Sequence, residues 1–342
     1  MNSDFINDLF LNRRSALKTL GGLSAAAITG NSIAQESKHS QALQASQQQK
    51  GQALNFDDPY DNLYAFGKIW AGFEEPQHGA YHGIMYGRAG NKRHEPLFGY
   101  TGSGVMQAKF DDDRNLLIRG KETGFFTDLA SGEILEEWLN PYTNEVVKPF
   151  NFLNDVGAKL TTEMPRHVFG NANDKPTLMN KGTHITDNGK VPFILPFESY
   201  GDDLLLAWDY AHGYTNPVTK DKWPKAHTGE KISPSEHFTF RLSKAEMEDR
   251  SVPSSRFVAG FSRVSEWWPW MRMGGNQFQD GVLFGRMFSH KGLPGYQDLP
   301  KKLLAYLEKH HPESLEVPDQ WTFKRPVGTW ENYAQQVPPE KD

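Results

Sequence analysis

The sequence predicts an all-β protein: an antiparallel barrel or a strongly curved, lipocalin-like sheet, with one or two peripheral helices. About ten short apolar runs, each bounded by Gly, Pro, Asn or Asp, follow one another along the chain. They do not alternate with helices, as strands of an α/β protein would. The stretch from Leu116 to Leu153 holds two tight turns, 128–132 and 140–144, between alternating runs, which is typical of a three-stranded antiparallel meander.

Residues 1–34 predict a signal peptide of the twin-arginine type, whose pattern is Ser/Thr-Arg-Arg-x-Phe-Leu-Lys. The matching residues are Arg13, Arg14, Leu17 and Lys18. Asn12 and Ala16 depart from the pattern, and small residues suit cleavage after Ala34. The alternative is an amphipathic N-terminal helix of a cytoplasmic protein. The signal implies that the twin-arginine machinery exports the protein and that it acts in the periplasm.

The rest of the chain is interpreted as one domain with flexible ends. Residues 35–55 are rich in Gln and Ser and lack apolar periodicity, so we expect a linker. Residues 56–325 form the expected β-barrel-like domain, and residues 326–342 a C-terminal tail. Residues 155–192 are polar and weakly periodic, which indicates a long excursion from the sheet.

Two helices are expected near the ends of the domain. Asp58 or Asp61 can cap a helix within residues 57–73. Pro300 suits the first turn of a second helix within residues 298–311. The apolar stripe of the second helix consists of Leu303, Leu304 and Leu307.

The predicted strands are short runs of alternating apolar and polar residues. They are Tyr81–Gly87, Leu97–Phe110, Leu116–Thr127, Phe193–Glu198, Leu204–Tyr210, His237–Leu242, Phe257–Glu266 and Val282–His290. In the second of these strands, Gly102 and Gly104 share a face with Tyr100 and Met106. Two glycines on one face of a strand predict a bulge or a sharp bend.

Composition excludes several function classes. The net charge of −5 argues against nucleic-acid binding. A chain without Cys has no disulfide, thiolate nucleophile, Fe–S cluster or Cys-bound zinc. The sequence has no GxGxxG, P-loop or GxSxG motif, and beyond the N-terminus no apolar stretch of about 20 residues that could span a bilayer. Glycines beside His78 and His82 argue against a helix that would align this pair on a metal. We therefore expect neither a metal nor a cofactor.

Three charged side chains fall in phase with apolar residues of predicted strands: Glu122, Arg263 and Arg286. Side chains two residues apart share a face of a strand, so these charges are expected to point toward the core. His212 and His290 end similar faces. Because a buried charge is costly unless paired, one interpretation is a salt bridge from Glu122 to either Arg. The other is a cavity in which Arg side chains hold an anion and a carboxylate or imidazole moves a proton.

Residues 265–275 hold three Trp and two Met, which form a large, soft apolar surface. Pro269 would interrupt a strand, so we place this segment in a loop. The segment either plugs the mouth of a barrel or forms a ligand wall. In the second case Trp267 and Trp270 contact the ligand, and Arg272 lies beside a ring or an anion. Trp208 of a predicted strand is expected to join that wall.

Several motifs resemble those of one protein family. They are Phe125-Phe126-Thr127-Asp128, Ser131-Gly132-Glu133-Ile134-Leu135, the run from Trp138 to Val147, Asn151–Asn154, Trp267–Gly274 and the pair Gly285-Arg286. Together they resemble domain-of-unknown-function family 1838, over roughly residues 57–321. Asn144 stands where members more often have Gly, and Asn also tolerates the left-handed conformation of a turn. The resemblance implies a bacterial or fungal protein, often with a twin-arginine signal. It implies no activity and no catalytic residues.

These features predict an exported, periplasmic, cofactor-independent enzyme of the lyase or isomerase type, acting by acid–base chemistry on a small apolar or aromatic, anionic compound. Glu122 and His290 are the expected catalytic residues. The expected ligand-binding residues are Arg263, Arg286, Arg272, Trp208, Trp267 and Trp270. The alternatives are a lipocalin-like protein that binds such a compound without changing it, and a structural envelope protein. A cavity in which at least two of the polar groups converge would favour the enzyme. A cavity without an acid–base pair would favour the binding protein, and a filled core the structural one.

Overall fold

The computed structural model describes residues 53–90, 92–165, 190–211, 213–275, 278, 281–321 and 328–340. The predicted signal peptide, nearly all of the predicted linker, His212 and residues 166–189 of the predicted excursion lie outside the described residues.

The described residues form four α-helices, fifteen strands and several single 3₁₀ turns. The helices are α1 (Pro59–Trp70), α2 (Lys244–Glu248), α3 (Lys301–His310) and α4 (Thr329–Gln336). The strands are β1 (Gln77–Arg88), β2 (Glu95–Phe110), β3 (Leu116–Thr127), β4 (Trp138–Leu139), β5 (Val146–Val147), β6 (Phe152–Leu160), β7 (Glu163–Pro165), β8 (Lys190–Pro192), β9 (Phe197–Tyr200), β10 (Asp203–Ala211), β11 (Tyr214–Thr215), β12 (Lys231–Ile232), β13 (Ser235–Ser243), β14 (Phe257–Ser265) and β15 (Val282–Leu293). No helix in this part of the chain is long and apolar enough to cross a membrane.

Nine strands form one antiparallel sheet in the order β6-β3-β2-β1-β15-β14-β13-β10-β9. The edge strands β6 and β9 each pair with a single neighbour, so the described part of the chain contains no closed barrel. Along the chain, the two-stranded ribbon β7–β8 lies between these edge strands. The prediction of a mostly β, antiparallel protein with few helices is confirmed, whereas the barrel alternative is not found.

The predicted three-stranded meander is wrong, because β3 pairs directly with β6. The chain between them leaves the sheet and forms only a single bridge and the small hairpin β4–β5. Both predicted turns are present. Gly132 has a φ of 70° and Asn144 a φ of 57°, so each occupies the left-handed conformation that its turn needs. The segment between β3 and β6 places Trp138 in the core, where it is 8% exposed.

Helix α1 begins as predicted. The Asp58 side chain accepts hydrogen bonds from the backbone N–H groups of Tyr60 and Asp61, at 2.7 and 3.1 Å, and Pro59 occupies the first turn. The helix lies on one face of the sheet, which we call the core face. Rings of α1 contact both halves of the sheet. The contacts are Tyr60 with Phe110 of β2, at 4.9 Å between ring centroids, and Trp70 with Phe240 of β13, at 5.4 Å.

A second cluster of aromatic side chains covers the other end of the core face. It includes Phe98, Trp138, Trp267, Trp268, Trp270, Met271, Met273 and Trp330. As predicted, Trp267–Met273 lies outside the strands, with a 3₁₀ turn from Pro269 to Met271. Residues 326–342 were expected to form a tail, and the structure corrects this. This segment contains α4, whose Trp330 is fully buried in this cluster, so the domain extends past residue 325.

Helix α3 covers part of the opposite face of the sheet, which we call the outer face. Leu303 and Leu307 are buried against Ala80 of β1 and Phe125 of β3. The apolar stripe predicted for this helix therefore packs as expected, and the remaining outer face of β1, β15 and β14 is not covered by α3.

Two buried lysines join the end of α1 to the rest of the core. Lys291 of β15 donates hydrogen bonds to the carbonyl oxygens of Lys68 and Ala71, at 2.5 and 2.7 Å, and to Ser254 Oγ at 2.7 Å. Lys68 donates to the carbonyls of Met247 and Asp249, at 3.1 and 2.8 Å. The Lys291 side chain thus caps the last turn of α1, where carbonyl groups lack helical partners.

The burial of Lys68 predicts that stability rises with pH in the alkaline range. Desolvation lowers the pKa of Lys68 from 10.5 to about 8 in the folded protein, and that of Lys291 well below its usual value. Between pH 8 and 10 the unfolded chain therefore binds more protons than the folded one, and the free energy of unfolding increases by about 2–3 kcal/mol per lysine at most. Above pH 10 the trend reverses, because burial raises the pKa of Tyr81 and Tyr100.

The measurement is urea unfolding followed by circular dichroism at pH 8, 9 and 10. The variant Lys68→Met should show about half the rise of the native protein. The variant Lys309→Met, at an exposed position of α3, is the control and should leave the slope unchanged. A native stability that is flat or falling over this pH range would contradict the expectation.

Candidate functional site

The core face of the sheet contains a cavity with mostly aromatic walls, which we call the aromatic cavity. Its volume is about 50 Å³, within about 670 Å³ of atom-free space that includes open solvent. The residues that line it are Tyr81, Tyr100, Phe126, Phe150, Phe152, Phe238, Phe261, Arg263, Trp268, Met287, Ser289 and Thr329. A buried water needs about 10–15 Å³ by this measure, so the cavity has room for several waters or a small ring.

One wall of the aromatic cavity is a pair of tyrosines over a glycine floor. The rings of Tyr81 and Tyr100 stack with their centroids 5.8 Å apart. A Cβ atom on Gly102 would overlap the Tyr81 ring, and one on Gly124 would overlap the Tyr100 hydroxyl. Glycine on these two strands therefore allows the close approach of both rings.

Of the bulge or sharp bend predicted at Gly102 and Gly104, the bulge is not found. The pairing of β1 with β2 runs unbroken past both glycines and shifts instead between Met85 and Tyr86. Tyr100, Gly102 and Gly104 lie on the same face of β2, as predicted. Gly102 makes room for the Tyr81 side chain of the neighbouring strand.

The two phenols form a hydrogen-bonded chain. The Tyr81 hydroxyl donates to the Thr123 carbonyl oxygen, and the Tyr100 hydroxyl is hydrogen-bonded to Tyr81. A hydroxyl oxygen has two lone pairs, so Tyr100 can also accept a hydrogen bond from a group in the cavity. Burial is the main cause that raises the pKa of both phenols. Both side chains are therefore neutral at physiological pH and act as hydrogen-bonding groups.

A buried ion pair forms another part of the wall. Arg263 Nη1 lies 2.8 Å from Glu236 Oε1, and the side chains are 4% and 1% exposed. The two residues are direct cross-strand partners on β14 and β13. The guanidinium also lies 5.8 Å from the Trp330 ring of α4. The pair adds polarity to the cavity with no net charge.

A second cavity of similar volume, about 50 Å³, adjoins the first. We call it the Glu122 cavity, after its buried carboxyl group. It shares Tyr81 and Ser289 with the aromatic cavity, and Lys291 and His290 also contribute to its wall. Burial raises the pKa of Glu122 and lowers that of His290. Glu122 is only 4% exposed.

The structure brings some of the predicted site residues together and separates others. Glu122 and Arg263 both face the core, as their strand phases predicted, but they line different, adjoining cavities. Their predicted salt bridge is wrong, because the partner of Arg263 is Glu236. The phase assigned to β15 is also wrong: Leu283, Gly285 and Met287 face the core. Arg286 is therefore exposed on the outer face and lines neither cavity. His290 has the same outer phase, opposite Ala80 and Val258, so its side chain does not share the face of Glu122 as predicted, although residue 290 borders the Glu122 cavity.

The predicted tryptophan wall is mostly core. Trp270 packs against Phe98 at 5.4 Å, and Trp267 donates from Nε1 to the Phe278 carbonyl at 2.9 Å. Trp208 lies under α1, 5.9 Å from the Phe66 ring. The lining residues of the aromatic cavity do not include any of these three indoles. The indole that does line the aromatic cavity is Trp268, which was not singled out from the sequence.

Arg272 lies away from both cavities. Its guanidinium pairs with Glu145 at 3.2 Å and with Glu340 at 3.5 Å, and its side chain is 32% exposed. These contacts join the 3₁₀ turn to the β4–β5 hairpin and to the C-terminal segment. The predicted ligand contact of Arg272 therefore has no support from its position.

Sequence reasoning missed Tyr81, Tyr100, Glu236 and Lys291. Glu236 carried a usable signal, since it shares a phase with Phe238, Phe240 and Leu242 of β13. For the two tyrosines the sequence offered only indirect evidence, namely the glycines Gly102 and Gly124 on neighbouring strands, which leave space for their rings. Among the described residues, no group of three His, Asp or Glu side chains is placed to hold a metal ion.

The fold and the site define an antiparallel β protein with an aromatic cavity on one face of its sheet. Residues 75–337 match the family DUF1838, described as a protein of unknown function, and the chain belongs to this family. The resemblance inferred from the sequence is thus confirmed. No curated protein matches the chain.

Among solved structures, the chain is similar to the LolA superfamily protein NE2245 from Nitrosomonas europaea. The sequence identity is 11%, the match covers 72% of this chain and 96% of that one, and the TM-score is 0.17. At this TM-score the similarity carries no argument about function.

Proposed function

We propose that the protein is exported to the periplasm and there binds a small, flat, largely aromatic compound in the aromatic cavity. The observation that carries the proposal is the stacked tyrosine pair, set on a glycine floor inside walls of Phe, Trp and Met. We infer that the sheet curves strongly around the compound. Phe126 and Phe152 line the cavity from one half of the sheet, and Phe238 and Phe261 line it from the other half. A cavity with apolar walls and a few directed polar groups is the usual form of a ligand site.

The charges around the cavity favour an uncharged compound over the anion expected from the sequence. Arg263 is already compensated by Glu236. Both tyrosines are neutral, and Tyr100 offers a hydrogen-bond acceptor. A phenol-type or N–H donor on the ligand satisfies this acceptor, whereas a carboxylate would enter a mostly apolar site without a free cation.

We expect p-cresol to bind more tightly than toluene, and toluene more tightly than benzoate. Burying about 150 Å² of ring surface contributes about 4 kcal/mol before the costs of association, so millimolar probe concentrations are suitable. The measurement is the ligand-dependent shift of the thermal unfolding temperature, checked by tryptophan fluorescence.

Paired variants make this test specific for the aromatic cavity. Ser289→Leu fills space at the boundary of the two cavities and should abolish the p-cresol shift. Ser262→Leu introduces the same side chain on the outer face of the neighbouring strand, and should leave it unchanged. Equal shifts in both variants, or preference for benzoate, would count against the proposal.

Acid–base turnover is a second candidate, favoured by one observation. Glu122 is a buried carboxyl group with a raised pKa, and its charge in turn raises the pKa of Tyr81 and Tyr100. A carboxyl group tuned in this direction suits proton transfer. If the bound compound is turned over, Glu122→Gln should stop solvent deuterium from entering it while binding persists. Incorporation that survives in this variant would remove Glu122 from the reaction.

The export part of the proposal rests on Arg13 and Arg14 of the signal-like segment. Replacing both by Lys keeps the charge and should block translocation, so that the uncleaved precursor accumulates in the cytoplasm. The native chain should appear in the periplasmic fraction with Gln35 as its first residue. Fractionation and N-terminal mass spectrometry check both expectations. Lys18→Arg is the matched control, and periplasmic protein from the twin-lysine variant would contradict the proposed route.

A further inference from the structure

The apolar phase of β15 that the sequence assigns to the core lies on the outer face. Phe288 is 51% exposed, Arg286 is exposed, and Phe284 is half-buried. On the neighbouring strand β14, Val258 and Val264 are 60% and 39% exposed. The strand pairing places these side chains side by side, since Gly260 opposes Phe288 and Val264 opposes Phe284.

A basic turn adjoins this apolar surface. Lys92, Arg93 and His94, between β1 and β2, are all exposed. The His94 ring lies 5.8 Å from the ring of Phe284. We define the outer patch as Val258, Val264, Phe284, Arg286 and Phe288 together with residues 92–94.

The charge of the outer patch is opposite to that of the whole chain. The chain carries a net charge of −5, whereas the patch contains three cations, Lys92, Arg93 and Arg286, and no acidic residue. Glu95, the next residue along the chain, lies at its margin. On β10, two strands away from β14, the acids Asp203 and Asp209 are paired with Arg241 and His237. The three cations are therefore exposed to solvent, and the patch itself provides no acidic residue to pair with them.

We propose that the outer patch docks on the surface of an anionic phospholipid bilayer. Exposed aromatic and aliphatic side chains enter the headgroup region, and the three cations contact lipid phosphates. A second copy of the chain is a poorer partner, because a two-fold contact through this face would bring like charges together. The surface is small, about 5 Å between the two strands β14 and β15 and about 20 Å along them. Docking is thus reversible and depends on lipid charge.

The test uses the purified mature chain and sedimentation with lipid vesicles. We expect binding to vesicles that contain phosphatidylglycerol and little binding to vesicles of phosphatidylcholine alone. High salt should release the protein, because the attraction acts within a Debye length. Each cation contributes about fivefold to partitioning, so Arg286→Glu should weaken binding by at least that factor, and Arg93→Glu likewise.

Further variants separate docking from loss of fold. Phe288→Ser should also reduce vesicle binding, although it changes no charge. Lys222→Glu makes the same charge reversal in the loop whose Trp223 packs in the core-face cluster, and should bind as the native chain does. Arg93 lies in an exposed turn, so its variant tests the surface even if a strand variant fails to fold.

Three results would overturn the inference: equal binding to neutral and anionic vesicles, unchanged binding of Arg93→Glu and Arg286→Glu, or a native dimer that Phe288→Ser dissociates. The last result would assign the outer patch to a second copy of the chain. None of them bears on the aromatic cavity, which lies on the other face of the sheet.

Discussion

Glu236→Gln should lower the free energy of unfolding by about 3–5 kcal/mol, because it removes the carboxylate that pairs with the buried Arg263 guanidinium. The side chains of this pair are 4% and 1% exposed, so water cannot take over the role of the lost carboxylate. Urea unfolding at neutral pH measures the change. The variant keeps the shape of the side chain, and the effect therefore reports charge and not packing.

Two further variants identify the cause. Replacing Glu236 and Arg263 together by Met removes both charges, and should restore stability to within about 1–2 kcal/mol of the native chain or better. Asp203→Asn removes one partner of an exposed pair with Arg241, and should cost less than about 1 kcal/mol. A Glu236→Gln variant as stable as Asp203→Asn would mean that the core pair is not held as described.

Gly124→Ala should destabilise the protein by about 3 kcal/mol and abolish binding of small aromatic probes. The added Cβ would overlap the Tyr100 hydroxyl and lie 2.7 Å from Tyr100 Cζ, closer than real Cβ contacts come. The ring must therefore move into the cavity, and overpacking of this kind costs about 1–3 kcal/mol or somewhat more. Thermal unfolding with and without p-cresol measures both effects.

The most severe clash, with the Tyr100 hydroxyl, makes a specific rescue available, while the Tyr81 hydroxyl at 2.9 Å remains close. Tyr100→Phe in the Gly124→Ala background removes the atom that the Cβ overlaps, and should recover part of the lost stability. The control is Gly260→Ala, since a Cβ at that position of β14 meets no atom within 4 Å. If Gly124→Ala and Gly260→Ala behave alike, the glycine floor does not hold the tyrosine pair.

Strand phases could be predicted from the sequence where one phase holds the larger apolar side chains and these also face the core. In β3 and β14 the core phases contain Ile118 and Phe126, or Phe257 and Phe261, and Glu122 and Arg263 were placed correctly. In β15 both phases are apolar. The large rings of Phe284 and Phe288 suggested that their phase faces the core. Hydrophobicity alone cannot show which part of the sheet remains uncovered by α3 and the aromatic cluster.

Contacts between distant segments were beyond a single sequence. The partner of Arg263 depends on the register of β13 against β14, and the cap of α1 by Lys291 depends on where β15 passes that helix. The net charge at the aromatic cavity depends on the contact between Arg263 and Glu236. An isolated Arg indicates an anionic ligand, whereas Arg263 paired with Glu236 favours a neutral one. This is why the sequence led us to expect an anionic compound and why we propose a neutral one.

The packing of the C-terminal segment was not predicted either. Residues 326–342 were expected to form a tail, yet Trp330 of α4 is fully buried and its ring lies near Arg263. Thr329 of the same helix lines the aromatic cavity. The C-terminal segment therefore contributes to the site.

Mass spectrometry of small molecules extracted from protein purified from the periplasm tests whether the aromatic cavity holds a compound. We predict one uncharged aromatic compound, near stoichiometric in the native chain and in Ser262→Leu, and missing from Ser289→Leu. The same compound in equal amounts in all three proteins would contradict it, because the aromatic cavity would then not be where the compound binds.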